Sequence, residues 1–397
     1  MNKIKLISVL VINLFFYMLS KVIPKNKDLW VFGAWFGQKY SDNPKFFFEF
    51  VNVNHSDNTK AVWITKNSNI VKNLQEKGYC VYHERSIKGI WHQLRASKAI
   101  ICQSLHDDLF SPCIGKRTEV VQLWHGIPLK KIMFDAFSKN KRRKNLIGRL
   151  FDWLTPYNEH RNDIVIATGE LTKNMLAKAF KVPTNKVLTC GFPRNDVFFE
   201  NVENVENVEN VEFKCIYMPT FRGGIASECD LFEKYGFEIK QMEAELTKHN
   251  IHLTLRMHPV NKPPSRIVEQ IKNSKVIKLD NGDDIYQSIQ QYDCLITDYS
   301  SIYFDFLLSN KPIVFAPFDL EFYKKCERAL YFEFEDVTLK PYCYSWNNIL
   351  ERLIELKNES QSSEYQKQYT FLKAKFHNDN VQGSSPFSSQ LYNELTK

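Results

Sequence analysis

Histidines, arginines, an aspartate and small hydroxyl residues follow short apolar runs at several places in this sequence. In chain order these candidate site residues are His125, Thr220, Arg222, Arg256, His258, Asp298, Ser300 and Ser301. Short runs of apolar and β-branched residues predict buried strands. Ligands of α/β proteins bind beyond the carboxyl ends of parallel strands. Side chains placed in this way are therefore candidates for a binding or catalytic site.

The stretch from Cys294 to Phe306 predicts a strand, a turn and a helix. Asp298, Ser300 and Ser301 are residue types that commonly cap the start of a helix. Such a turn directs backbone N–H groups and hydroxyls toward one point, which suits a phosphate. An ordinary capped helix is the alternative that this stretch alone leaves open.

His125 and His258 are the candidate acid–base residues. Each follows a predicted strand and precedes a residue that shapes the backbone, Gly126 or Pro259. An imidazole titrates near neutral pH and can take up or release a proton during catalysis. A structural role is the alternative for each histidine. For Arg222, whose guanidinium suits phosphate oxygens, the alternative is a surface ion pair.

Strand-like runs alternate with helical patterns along most of the chain, which indicates parallel sheets covered by helices. We predict an α/β fold with two Rossmann-like domains facing a cleft, the GT-B arrangement, and an N-terminal membrane-associating helix. The predicted boundaries are 1–24 for the helix, 25–200 for the first domain and 213–397 for the second. Residues 201–212 are four copies of Asn-Val-Glu. We interpret them as a linker, because one valine per repeat cannot build a core.

The apolar run Leu6–Leu19 is shorter than the ~20 residues of a membrane span. Lysines lie on both sides of it, and no small-residue cleavage site follows. We interpret it as an interfacial helix; a signal peptide and a buried core helix are the alternatives. A second predicted membrane contact combines basic residues with an indole: Lys141, Arg142, Arg143, Lys144 and Trp153. A solvated basic face is its alternative.

The charge and the cysteine pattern of the sequence favour some classes of binding partner and exclude others. The formal net charge of +8 suits an anionic partner, such as a nucleotide-activated substrate or a membrane surface. No helix-turn-helix, RNA-binding or zinc-finger pattern is present, so nucleic acid is not an expected partner. Nine cysteines without a CxxC pair or nearby histidine spacing predict neither a metal site nor a disulfide framework.

Six motifs occur together in one order along the chain. They are Leu29–Gly33 with Tyr40–Asn43, Trp124–Lys130, Gly191–Asp196, Met218–Arg222, Arg256–Pro259 and Asp298–Ser301. This set, between about Leu29 and Leu353, resembles the CDP-glycerol glycerophosphotransferases of teichoic-acid and capsule synthesis. Departures are Ile127, Gly223-Gly224 and the stretch Cys326–Phe332, and they leave the donor specificity open.

The resemblance implies transfer of glycerol phosphate from CDP-glycerol to a hydroxyl of a lipid-linked or glycan acceptor, with release of CMP. It implies no cofactor, and it places the enzyme on the cytoplasmic face of the cell membrane as a peripheral protein. His125 and His258 are the implied catalytic residues. The implied diphosphate ligands are Thr220, Arg222, Arg256, Asp298, Ser300 and Ser301.

Three other functions remain open at this point. One is the use of CDP-ribitol or another CDP-polyol as the donor. A second is a GT-B glycosyltransferase that uses a nucleotide sugar. The third, from another class, is a non-catalytic protein that binds a membrane surface or nucleic acid through its positive charge.

Overall fold

The computed structural model describes residues 3–136, 148, 153–200, 212–222, 227–228, 230–258, 261–282, 284–326, 329–359, 361–378, 383 and 385–397. The chain divides into two compact units. Unit 1 comprises Met1–His125, Met133–Phe199 and Asn380–Lys397, and unit 2 comprises Gly126–Ile132 and Glu200–Asp379. The predicted second domain therefore loses its last residues to unit 1 and gains a short segment that follows His125.

Unit 1 is built on a seven-stranded parallel sheet. Its strands are β1 (Asn26–Phe32), β2 (Lys60–Thr65), β3 (Val81–His83), β4 (Ala96–Ile101), β5 (Glu119–Gln122), β6 (Ile164–Ile166) and β7 (Val187–Leu188). They lie in the order β3-β2-β1-β4-β5-β6-β7, and every pairing is parallel. The α-helices of this unit whose two ends lie among the described residues are Lys3–Val22, Asp42–Asn54, Ser68–Glu76, Ile87–Arg95, Leu105–Asp108, Met133–Ala136, Glu170–Phe180 and Pro386–Thr396.

Unit 2 repeats the same plan on a five-stranded sheet. In chain order its strands are β8 (Phe213–Met218), β9 (Ser227–Glu228), β10 (Ile251–Leu255), β11 (Asn261–Lys262), β12 (Ile277–Leu279), β13 (Cys294–Thr297) and β14 (Ile313–Phe315). The main sheet has the order β12-β10-β8-β13-β14, and β9 pairs with β11 separately. The helices are Ile239–Lys248, Ser265–Ile271, Ile302–Phe306, Leu320–Cys326, Trp346–Asn358 and Ser363–Phe376.

Both sheets change winding direction next to their first strand. Within each sheet, the chain order of the strands runs 3-2-1-4-5, as in dinucleotide-binding folds. The two switch points therefore lie beyond the carboxyl ends of β1 and β4 in unit 1, and of β8 and β13 in unit 2. The prediction of an α/β fold with parallel sheets is confirmed, whereas the arrangement of two domains facing a cleft stays a prediction.

The strands that the sequence missed are short. β3 and β7 contain three and two residues and lie at the two edges of their sheet. The segment before β13 forms two single 3₁₀ turns, Ile285–Gln287 and Ile289–Gln291. Ser288 separates these turns with a ψ near zero and an extended φ of −132°, which no α-helix contains.

The N-terminal helix Lys3–Val22 packs one face on unit 1. Tyr17 is 6% exposed, and Phe16 contacts the ring of Phe110 edge to face. A second face carries large apolar side chains that are half exposed or more: Ile7, Val11, Ile12, Phe15, Met18 and Val22. Among the described residues, no helix has the length and apolar character that a membrane span requires.

The C-terminal helix Pro386–Thr396 is attached to unit 1 by the carboxylate of Asp196. Its two oxygens accept the backbone N–H groups of Phe387 and Ser388, at 2.8 and 3.1 Å. Tyr392 of the same helix stacks on His55, with ring centroids 3.6 Å apart. A side chain from the Gly191–Asp196 motif thus satisfies the free N–H groups at the start of the helix. These contacts explain why residues 380–397 belong to unit 1.

Replacing Asp196 with alanine should lower the free energy of unfolding by about 1–2 kcal/mol, because two N–H groups at a helix start lose their acceptor. Urea unfolding followed by circular dichroism measures this change. Asp57→Ala is the matched control, since Asp57 is exposed in a surface turn of the same unit. Equal unfolding midpoints for the two variants would show that Asp196 does not stabilise the helix.

Candidate active site

His125 lies just beyond the carboxyl end of β5, where the chain turns out of the sheet. β5 ends at Gln122, and the Gln122 side-chain oxygen accepts the N–H of Trp124 at 2.9 Å. Trp124 has a φ of +53° and Gly126 a φ of +136°. A bulky residue in the left-handed region is strained and persists only where surrounding contacts fix it. The backbone on both sides of His125 is therefore held in an unusual turn.

The imidazole of His125 is oriented by a single backbone carbonyl. Its Nδ1 lies 3.1 Å from the carbonyl oxygen of Cys102, at the end of β4. A carbonyl can only accept a hydrogen bond, so Nδ1 carries the proton and Nε2 keeps its lone pair in the neutral ring. The ring packs against the indoles of Trp124 and Trp35, with centroids at 3.9 and 5.6 Å. In this tautomer Nε2 is the nitrogen that can accept a proton.

Burial keeps this imidazole neutral. Desolvation lowers the pKa of His125, and the positive charge of Arg194 lowers it further. The charge of Asp42 and the hydrogen bond to Cys102 act in the opposite direction, yet the pKa remains below its usual value. A neutral ring at physiological pH can accept a proton from a substrate hydroxyl.

Asp108 fixes the backbone that carries the Cys102 carbonyl. Its carboxylate accepts the N–H groups of Cys102 and Gln103 at 2.9 and 2.7 Å, and that of Phe36 at 3.0 Å. Gly33 makes this approach possible, because a Cβ there would lie 2.4 Å from the Asp108 carbonyl oxygen. Burial raises the pKa of Asp108 to about 6, against the effect of these three donors.

In unit 2, Arg222 is surrounded by carboxylates. Its Nε and Nη2 contact Asp319 at 2.8 and 2.9 Å, and Nη2 also contacts Asp298 at 2.7 Å. Its Nη1 donates to the Thr220 carbonyl at 2.6 Å. The rings of Tyr299 and Tyr323 flank the guanidinium. The predicted phosphate contact of Arg222 stays a prediction, and in this structure every guanidinium nitrogen has a protein partner.

Asp298 connects the loops that follow β8 and β13 at the switch point of unit 2. It is 1% exposed, and its Oδ1 accepts the N–H groups of Thr220, at 2.8 Å, and of Tyr299. The residue at the helix start is Ser301, whose side chain makes no capping hydrogen bond. The hydroxyl of Thr220 is buried and has no hydrogen-bond partner among the described residues. The hydroxyls of Thr220 and Ser301 are thus not used in local capping.

Asn261 joins the Arg222 loop to the His258 loop. Its side chain accepts the N–H of Arg222 at 2.7 Å and donates to the Arg222 carbonyl at 2.6 Å. Its own N–H donates to the carbonyl of His258 at 2.8 Å. The imidazole of His258 lies against the ring of Phe221, with centroids 5.2 Å apart. Asn261 was missed in the sequence because it follows no predicted strand and belongs to none of the six motifs.

Lys130 is a second residue of this site that the sequence did not single out. Its ammonium lies 5.3 Å from the centroid of the Phe221 ring and 4.7 Å from that of Tyr323. The Trp124–Lys130 motif could have indicated this residue, because a lysine lies five positions after His125. Lys130 belongs to unit 2, so it adds a positive charge beside the rings of Phe221 and Tyr323 in that unit.

The remaining predicted residues lie elsewhere. Arg256 follows β10 and pairs with Asp280 at 2.5 Å, while its Nη2 donates to the Gly282 carbonyl at 2.7 Å. Its side chain therefore lies toward β12, on the opposite side of β10 from β8. Trp153 is 75% exposed. Lys141, Arg142, Arg143, Lys144 and repeat residues 201–211 lie outside the described residues.

The family model described as CDP-glycerol:poly(glycerophosphate) glycerophosphotransferase matches residues 15–385. The chain belongs to this family. The predicted family is therefore confirmed, and the match includes His125, His258 and the whole unit 2 cluster.

Similar proteins agree with this membership. A teichoic acid glycerol-phosphate transferase of Staphylococcus aureus is 26% identical over 381 residues, covering 91% of each chain. A teichoic acid poly(glycerol phosphate) polymerase of Bacillus spizizenii is 26% identical over 363 residues, covering 86% of each chain. The solved wall teichoic acid polymerase TagF has the same fold, with a TM-score of 0.69, 21% identity and coverage of 98% of this chain and 95% of that one.

Replacing Arg222 with alanine should destabilise the protein by roughly 3–5 kcal/mol, because Asp298 is left buried without its partner. Urea unfolding of unit 2 measures the loss. Arg352→Ala is the control, since its pair with the exposed Glu355 should contribute less than about 1 kcal/mol. If Arg222→Ala unfolds like wild type and only weakens CDP-glycerol binding, Arg222 is a phosphate ligand and does not position the loop.

Proposed function

We propose that this protein transfers glycerol phosphate from CDP-glycerol to a hydroxyl of a lipid-linked or glycan acceptor and releases CMP. The product would be a teichoic-acid-like or capsular polymer. Family membership supports the reaction class. The observation that carries the proposal is the orientation of His125. Its Nδ1 donates to the Cys102 carbonyl, so Nε2 carries no proton and can accept one.

The proposed reaction is a displacement at phosphorus. The acceptor oxygen attacks the phosphorus that carries glycerol, and Nε2 of His125 takes the hydroxyl proton. The bond between this phosphorus and the bridging oxygen breaks, and its electron pair leaves with CMP. A positioned base of this kind accelerates a reaction by typically ~10²–10⁴-fold.

Unit 2 is the proposed donor site. The buried hydroxyl of Thr220 and the hydroxyls of Ser300 and Ser301 lie at a switch point, where α/β proteins bind nucleotides. The imidazole of His258 and the ammonium of Lys130 are the proposed additional contacts to the diphosphate. Arg222 balances only part of the charge of its two carboxylate partners, so the proposed diphosphate contact of Arg222 would need positive charge from other residues beside it.

His125→Ala should lose about 10²–10⁴-fold in the rate of CMP release while CDP-glycerol binds with unchanged affinity. Calorimetry with CDP-glycerol and a CMP-release assay give the two quantities. His160→Ala, at an exposed position of the same unit, is the matched control. Loss of donor binding in folded protein, or a rate like that of His160→Ala, would contradict the role of His125 as base.

The pH dependence follows from the lowered pKa of His125. A base is active only when unprotonated, so the rate should keep its plateau as the pH falls to about 6.5, the usual histidine value. It should decline below that point. A rate that already falls between pH 8 and pH 7 would mean that the titrating base is another group.

The donor polyol is a separate question. A teichoic acid ribitol-phosphate primase of Bacillus spizizenii is 25% identical and covers 82% of this chain, so ribitol-phosphate enzymes also occur among the relatives. CMP release from CDP-glycerol and from CDP-ribitol, measured side by side, distinguishes the two donors. Release of UDP from a UDP-sugar would instead support a glycosyltransferase.

We propose that the N-terminal helix lies on the cytoplasmic face of the cell membrane. The exposed apolar side chains from Ile7 to Val22 form the contact. The basic residues 141–144 and the exposed Trp153 are the second contact. A single weak anchor binds reversibly, and stable attachment usually needs two signals.

Changing Val11, Phe15 and Met18 together to glutamine should abolish most binding to vesicles of phosphatidylglycerol and phosphatidylethanolamine, because the exposed apolar area is lost. Vesicle flotation measures bound protein. The control changes three exposed polar residues of unit 1, Asn54, Asp57 and Asn58, to glutamine. Equal flotation of both variants would show that this helix face does not bind the membrane.

A further inference from the structure

Three consecutive carbonyl groups around His125 are bound by side chains from two distant segments. Asn43 Nδ2 donates to the carbonyls of Leu123 and Trp124, at 3.2 and 2.9 Å. Arg194 Nη1 donates to the carbonyl of His125 at 3.1 Å. The backbone has left the sheet at this point, and all three carbonyls nevertheless have protein donors.

The residues that bind these carbonyls also bind one another. Asp42 pairs with Arg194 at 2.8 Å, and both side chains are 6% exposed. Asn43 Oδ1 accepts the backbone N–H of Arg194 at 3.2 Å. The second oxygen of Asp42 accepts the indole N–H of Trp35 at 3.0 Å, and that indole lies against the His125 ring. One network thus contacts both the backbone and the ring of His125.

Left-handed backbone conformations are concentrated in this network. Trp35, Phe36, Asp42 and Trp124 have φ values of +47°, +61°, +67° and +53°. None of the four is a glycine, so each conformation costs energy that other contacts must offset. Such strain is typical of sites where function requires one geometry.

We infer that Asp42, Asn43 and Arg194 are positioning residues that hold His125 in the geometry of a general base. The inference rests on the proposed function, since it assigns these residues a role in the same reaction. Neither Tyr40–Asn43 nor Gly191–Asp196 received a role from the sequence, although both are among the six motifs. Their common task is to fix the turn that directs Nε2 toward the acceptor hydroxyl.

Positioning has a large effect on rate. A displacement of about 1 Å in a catalytic group can cost ~10²-fold in turnover. Loss of the two Asn43 donations frees the carbonyls on the N-terminal side of His125, and loss of the Arg194 donation frees the one at His125 itself. The donor is proposed to bind unit 2, so its affinity should not depend on these contacts.

Asn43→Asp is the first test, because it keeps the shape and the acceptor for Arg194 but removes both donations. We expect CMP release to fall about 10- to 100-fold, with unchanged stoichiometry and dissociation constant for CDP-glycerol. Asn52→Asp is the matched control in the same helix, where Asn52 donates only to the Phe48 carbonyl at 2.7 Å. It should stay within about twofold of wild type in rate.

Arg194 gives a second test that a purely structural role would not pass. Arg194→Lys keeps the positive charge, but a lysine cannot reproduce the contacts of Nη1 with both Asp42 and the His125 carbonyl. The rate should therefore fall, while the pH at which the rate declines on the acidic side (the acidic pH limb) should stay the same. Arg194→Gln removes the charge that lowers the pKa of His125, so the limb should move to higher pH. Asp42 and Asp108, the other charged groups facing this loop, are unchanged in both variants.

His125→Ala in the same assay separates the possible failures. If His125→Ala keeps its turnover, the proposed base is wrong and the positioning role is overturned with it. If His125→Ala is inactive but Asn43→Asp and Arg194→Lys, both folded, match Asn52→Asp at every pH, only the positioning role is overturned. If Asn43→Asp does not fold, the rates and pH limbs of the two Arg194 variants decide in the same way.

Discussion

The hydrogen bond between His125 Nδ1 and the Cys102 carbonyl is the interaction on which the functional interpretation of unit 1 depends. It selects the tautomer, and the tautomer decides whether the ring can accept a proton at Nε2. The carbonyl itself is held because Asp108 binds the N–H groups of Cys102 and Gln103. The strands β4 and β5 are neighbours in the sheet, so the parallel topology brings the carbonyl and the imidazole together.

In unit 2 the same topology holds a group of charged residues at the switch point. Its switch point contains one arginine between two carboxylates, a group with excess negative charge. Buried ion pairs of this kind contribute little net stability but are expensive to break. Arg222 and Asp298 therefore hold the loops after β8 and β13 in one arrangement, while the buried hydroxyl of Thr220 beside them has no hydrogen-bond partner among the described residues.

Much of this architecture was predictable from the sequence, because buried parallel strands are continuous apolar runs. The strand that opens the stretch Cys294–Phe306 was predicted in this way, and it starts at Cys294 in the structure. His125 was found because it follows such a run directly. Short edge strands such as β3 were missed, since three residues carry too little pattern.

The partners of each site residue could not be predicted in the same way. Nothing in the spacing of Asp42 and Arg194, 152 positions apart, indicates that they form an ion pair. Asn261 was missed for a related reason, because its two contacts to Arg222 depend on how two loops meet in space. Sequence patterns report the burial of a segment, whereas these contacts depend on tertiary geometry.

Burying polar side chains around His125 costs free energy, and this cost indicates a role other than stability. Asp42, Asn43, Asp108 and Arg194 are each at most 6% exposed, at a place where apolar side chains would bury surface at lower cost. The carboxylates of Asp42 and Asp108, the Asn43 amide and Nη1 of Arg194 all have hydrogen-bond partners, and a buried network of this kind favours one geometry over its neighbours. The backbone strain at Trp35 and Trp124 has the same consequence, since it would relax if these contacts were absent. Stability alone explains neither feature, whereas the need to hold one imidazole in one tautomer and one direction explains both.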